Sequence, residues 1–250
     1  MRQWVLVGVL ASLALQSPAQ AIRSNAPAGS LPRLILWAWE RPEDLRGIGA
    51  DTGVAFLAQT ITVAGERLSI SRRKQPLRVS PETSLVAVTR IEVDPLRPLS
   101  LKPDQLPGLV SVVASTARLP RVRGVQVDFD ATTSERAFYR NFLRDLRAAI
   151  NRDLPLSITA LASWCEGDDW LGGLPIDEAV PMLFRMGPVD EPFRRLARLG
   201  NWNAALCRGS LGLSLDERFD LPSNSRRLYV FNPVPWNDTA LADARRQVLR

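Results

Sequence analysis

The sequence predicts an α/β fold, a (β/α)8 barrel of the TIM type, on three observations. Eight short apolar runs recur along the chain, most of them separated by stretches with helical periodicity, the pattern of parallel strands joined by crossover helices. The length, 250 residues, suits one such domain, since barrels of this kind typically take about 250 residues. No glycine-rich phosphate loop follows the first run, which counts against a doubly wound nucleotide-binding sheet.

The predicted strands are, in order, RLILWAWE (33–40), GVAFLAQTITV (53–63), SLVAVTRIEV (84–93), RGVQVDFDA (123–131), LPLSITALASW (154–164), DEAVPMLFRMG (177–187), SLGLSLDE (210–217) and RLYVFNPVPW (227–236). Helical character lies between them at 43–47, 103–117, 134–150 and 189–199, and again at 238–249. The segment 59–78 breaks the pattern. There Ala64-Gly65 separates two alternating runs, the signature of a β-hairpin inserted after the second strand.

Ahead of the barrel, Arg2 precedes an apolar stretch from Trp4 to Leu15 and an Ala19-Gln20-Ala21 ending, the anatomy of a secretory signal peptide over 1–21. Residues 22–32 (IRSNAPAGSLP) have the composition of a flexible linker, and one barrel domain is expected over 33–250. After leader removal no segment predicts stable membrane insertion, so the expected location is periplasmic or secreted. In such an oxidising compartment Cys165 and Cys207 are expected as a disulfide rather than reactive thiols. The oligomeric state is not legible.

The net charge of +6 comes from 32 basic and 26 acidic residues, but the arginines alternate with acids along presumed helices, so no nucleic-acid partner is expected. The chain contains no histidine. That removes Ser-His-Asp and Cys-His catalysis, imidazole proton shuttles and the usual His-bearing metal centres, and no cofactor or metal is expected. Chemistry must run on carboxylates, Tyr, Arg or Lys.

In a barrel the functional end is the C-terminal rim of the strands. On the fourth strand Val125, Val127 and Phe129 should face the helices, while Gln126, Asp128 and Asp130 face inward. Two acids in a barrel mouth cost free energy unless paired or at work. Structural alternatives are helix capping near Asp130, with Ser134 as the expected cap, and an ion pair to Arg90. Other strand ends carry Glu40, Trp39, Arg90, Glu92, Arg185, Asp216 and Trp236, with Trp164 at the end of the fifth. Aromatic faces stack on sugar rings, and carboxylates with Arg hydrogen-bond hydroxyls, so a carbohydrate polymer is the expected partner. Asp130 and Asp128, with Glu92 as a second acid, supply what glycoside hydrolysis requires: an acid and a base or nucleophile. A non-catalytic glycan- or partner-binding envelope protein remains open, as does a hard-cation phosphoesterase built from Asp128, Asp130 and Glu92.

GVQVDFDATTSERAFY (124–139), PLSITALASWC (155–165), LPIDEAVPMLFRMG (174–187) and GLSLDE (212–217), together with LILWAWERPEDLR near the start, resemble a bacterial family of exported proteins, domain of unknown function family 3142. At a greater distance the fourth strand is similar to that of glycoside hydrolase family 18, the chitinase-type barrels, whose motif is Asp-Gly-x-Asp-x-Asp-x-Glu. Gly124, Asp128 and Asp130 fall at its glycine, last aspartate and catalytic glutamate, while Arg123 and Gln126 replace the first two acids. The resemblance implies a barrel and places a general acid at Asp130, one methylene shorter than the family's glutamate. The family's Met-x-Tyr-Asp motif has no counterpart in Met182-Leu183-Phe184-Arg185, so substrate-assisted chitin cleavage is not implied.

Overall fold

The computed structural model describes residues 31–167, 169–187, 190–217 and 227–248. The expected leader and all but the last two residues of the expected linker lie outside the described residues. Eight strands close a parallel barrel: β1 (Leu34–Ala38), β3 (Thr52–Ala64), β6 (Leu85–Val93), β7 (Val122–Asp128), β8 (Leu156–Leu161), β9 (Glu178–Met182), β10 (Ser210–Ser214) and β11 (Arg227–Phe231). Each pairs in parallel with the next, and β11 returns to β1, with Ile35 opposite Tyr229.

The two-residue period of the strands sorts their side chains into two cores. Leu31, Ile35, Trp37, Ala55, Val86, Val88, Val180 and Tyr229 fill the barrel. Leu34, Leu36, Val54, Val125, Val127, Ile158 and Leu213 face outward into a larger core shared with the helices. Gly212 shows how tightly the inner layer is filled: a Cβ there would lie 2.9 Å from Cη2 of Trp37.

Five α-helices are described: α1 (Leu106–Thr116), α2 (Arg136–Ala149), α3 (Ala162–Glu166), α4 (Asp190–Leu199) and α5 (Asp238–Val248). The first two crossovers carry none. Residues 43–47, expected as helical, instead hold strand β2 (Glu43–Leu45), which pairs in parallel with β5 (Leu77–Val79). Glu43 and Leu45 are buried and Asp44 is exposed, a period of two. A run this short, closed by Gly47 and Gly49, cannot repay helix nucleation. The long β3 continues past the barrel wall and β4 (Arg67–Arg72) folds back on it antiparallel, Gly65 taking the left-handed turn position at φ +60°.

At the start of α2 the cap is not Ser134. The Glu135 carboxylate accepts from both the backbone N–H and the hydroxyl of Thr132, at 2.7 and 2.8 Å, a reciprocal arrangement that leaves Asp130 out of the helix start. The expected disulfide is present: Cys165 of α3 bonds Cys207 in the short 3₁₀ turn before β10.

Candidate functional site

At the C-terminal ends of the strands lies a cleft of about 350 Å³ with one aromatic and one charged side. The aromatic side follows from strand alternation. Trp37 and Trp39 come from the end of β1 and the turn after it, Phe184 follows β9 and Phe231 ends β11. Phe184 stacks on Phe231 at 5.8 Å, and Trp37 and Trp39 meet these two rings edge-on at 6.2 and 6.3 Å. The Trp37 ring is fixed from below, its indole N–H donating to Gln126 Oε1 at 2.8 Å inside the barrel.

Arg90 organises the charged side. Its Nη1 donates to Asp128 Oδ2 and its Nε to Glu92 Oε1, both at 2.8 Å. Asp128 is 3% exposed, and its other oxygen accepts from the Thr159 hydroxyl at 2.6 Å. Both oxygens of this buried carboxylate are thus hydrogen-bonded, the condition under which a buried charge is tolerated. Burial works against the charge on Arg90, but the two carboxylates outweigh it and hold its pKa above the ordinary value. The ion-pair alternative for Asp128 is therefore realised.

Asp130 stands two residues on, just past the end of β7, where its side chain is exposed. Between the acids Phe129 turns outward and meets Tyr139 of α2 edge-on at 5.0 Å, which fixes the strand end. Surrounding protein desolvates the Asp130 carboxyl, and the Asp128 charge adds to this, so its pKa is raised despite the opposing pull of Arg90.

The cleft brings together Trp39, Arg90, Glu92, Asp128 and Arg185. Asp130 is not among its lining residues. Arg185 sits beyond β9 in a left-handed conformation at φ 56°, with its guanidinium 5.5 Å from the Phe231 ring. Besides Asp130, four expected residues are placed elsewhere. Glu40 accepts from the backbone N–H groups of Lys74 and Gln75, tying the turn after β1 to the segment after β4. Asp216 is exposed beyond β10 and accepts from the Ser214 hydroxyl. Trp236 is buried behind the cleft, donating to the Trp37 carbonyl at 3.0 Å. Trp164 packs edge-on against Trp170 in the outer core, because the chain turns into α3 immediately after β8 and carries the indole away from the mouth.

Thr159, Phe184 and Phe231 were not singled out from the sequence. Strand alternation could have found Thr159, two residues after the inward-facing Ser157; the two phenylalanines gave no signal beyond ordinary apolar residues. Among the described residues no group of three or more acids or cysteines gathers as a metal site, since Arg90 stands between Asp128 and Glu92.

Residues 82–190 match DUF3142, a domain of unknown function. The matched stretch runs from the approach to β6 to the first residue of α4, and so contains Arg90, Glu92, Asp128, Asp130, Thr159 and Arg185. No curated protein matches the chain. Among solved structures, a protein described as chitinase A from Streptomyces coelicolor superposes with a TM-score of 0.56 at 12% identity, covering 86% of this chain and 97% of that one. The Bacillus cereus spore cortex-lytic enzyme SleL gives 0.49 at 16% identity, covering 73% of this chain and 50% of its own. The chitinase domain of the Clostridium difficile spore coat protein CotE gives 0.43 at 15%, with coverages of 64% and 52%. This chain thus spans about half the length of the latter two. At these identities the likeness to the Streptomyces protein establishes a shared barrel fold, in agreement with the closed strand order.

Proposed function

We propose that this DUF3142-containing barrel is an exported protein that binds a cell-envelope or extracellular polysaccharide in its mouth and cleaves it with Asp130 as general acid. The observation that carries the reading is the pairing of an aromatic wall with an Arg90–Asp128–Glu92 triad across one cleft. Sugar rings present apolar C–H faces and hydroxyl edges, and a cleft with one aromatic and one charged side meets both. The shared fold with a protein described as a chitinase supports a sugar substrate. The leader pattern and the disulfide support export.

The Asp130 pKa is displaced in the direction that general acid work needs, upward, by desolvation and by the neighbouring Asp128 charge. Asp128, held on both oxygens, tunes that proton rather than carrying it. Glu92 is the second carboxylate, held in place by the Arg90 Nε–H. Hydroxyls of the bound sugar would exchange hydrogen bonds with Arg90 and Thr159.

A specific observation favours a second reading, glycan binding without cleavage: Arg90 engages both Asp128 and Glu92, so neither stands free to attack. A screen of the purified protein against envelope and biofilm polysaccharides, scored for released reducing ends, separates the two. Cleavage predicts new ends that Asp130→Asn reduces by about 100-fold or more, within the usual range for loss of general acid catalysis. Retention of the polysaccharide with no new ends would assign the mouth to binding alone.

A further inference from the structure

The charges around the mouth do not all cancel. Arg90 is saturated by Asp128 and Glu92. On the far side of the cleft, Arg194 of α4 is saturated by Asp190 at 2.7 Å and by Glu217 Oε2 at 2.8 Å. The remaining Glu217 oxygen, Oε1, accepts from the backbone N–H of Arg185 at 2.8 Å. Glu217 therefore holds the Arg185 main chain in place while its own charge is met by Arg194. Among the described residues no carboxylate comes within ion-pair distance of the Arg185 guanidinium, which rests over the Phe231 face at the edge of the aromatic wall.

A non-glycine residue in the left-handed region is uncommon, and such strain concentrates where a side chain must be aimed. Here the aim is into the cleft, at the height of the aromatic rings. A guanidinium over a phenyl ring makes a modest contact, whereas a bidentate carboxylate is the partner its planar fork fits best.

We infer that Arg185 reads a carboxylate on the bound glycan, so that the substrate class is an acidic polysaccharide containing uronic acid residues. The inference rests on the glycan reading above and narrows it. A ring stacked on Trp39 would present its carboxylate to Arg185 at the rim, away from Asp128, which is buried and already paired with Arg90.

The test is calorimetric binding of oligosaccharides of glucuronate, galacturonate and mannuronate, each beside its carboxyl-reduced counterpart of the same length. Expected is a preference of at least tenfold for one acidic oligomer over its reduced counterpart, shrinking as salt is raised. Arg185→Gln should bring the two affinities together, and Arg185→Lys should restore part of the gap. Equal binding of acidic and reduced oligomers, or a preference that survives in Arg185→Gln, overturns the inference while leaving glycan binding intact. Failure of every oligomer in both series overturns the glycan reading and this inference with it.

Discussion

Asp128 is buried inside the barrel wall, and its ionised form is tolerable there only because Arg90 and Thr159 meet both oxygens. Removing Arg90 strands a buried charge. Breaking a fully buried pair costs roughly 3–5 kcal/mol, and the 35% exposure of the Arg90 side chain lets water recover part of that. Arg90→Met is therefore expected to lower unfolding free energy by about 2–3 kcal/mol, read as a shift in urea midpoint at unchanged slope. Asp130 behaves in the opposite sense. Its native carboxyl holds a proton more tightly than the unfolded one, so its contribution to stability falls as pH rises from the ordinary aspartate range through the raised native value. Asp130→Asn should then raise Tm relative to the parent at neutral pH and lose that advantage near pH 3, about where both forms are protonated. A constant difference across the range would remove the claim that desolvation and Asp128 hold the proton there.

Each of the eight barrel strands overlaps its apolar run, because a strand buried on both faces must be apolar nearly throughout, and such a signal survives without any alignment. The crossovers were less legible. Residues 43–47 are too short to show whether polar spacing has period two or 3.6, and the strand is revealed only by its pairing with β5, with Glu43 and Leu45 buried and Asp44 exposed. The same limit governs the site. Asp128, Arg90, Glu92, Trp39 and Arg185 could be placed at the mouth from strand register alone. Trp164 and Trp236 could not be distinguished from them, since their placement depends on which way the chain leaves β8 and β11. Gly212 offers a test of register at the level of the strand. A methyl group there would press on the Trp37 ring, so Gly212→Ala should cost about 1–3 kcal/mol and change tryptophan fluorescence by displacing the ring that anchors the aromatic wall.

At the scale of the molecule the barrel has a packed interior, an outer helical layer with gaps at the first two crossovers, and one covalent clasp across its later part. Cys165 and Cys207 are 42 residues apart in sequence, and closing such a loop constrains the unfolded chain by about 4 kcal/mol in the loop-entropy account. Reduction is expected to lower stability by up to about that amount, measured by urea unfolding with and without reductant, while the barrel persists because no barrel strand depends on the bond. The absence of histidine, which first only excluded mechanisms, leaves the mouth with carboxylates, arginines and aromatic rings set on opposite sides of one cleft.

The central claim, that a glycan occupies this cleft, is tested most directly by the indole N–H resonances of the protein during titration with a polysaccharide fragment that it retains. Binding in the mouth predicts shifts at Trp37 and Trp39 and little change at Trp164, Trp170 and Trp202. Shifts confined to those three outer-core indoles, or to none, would contradict it.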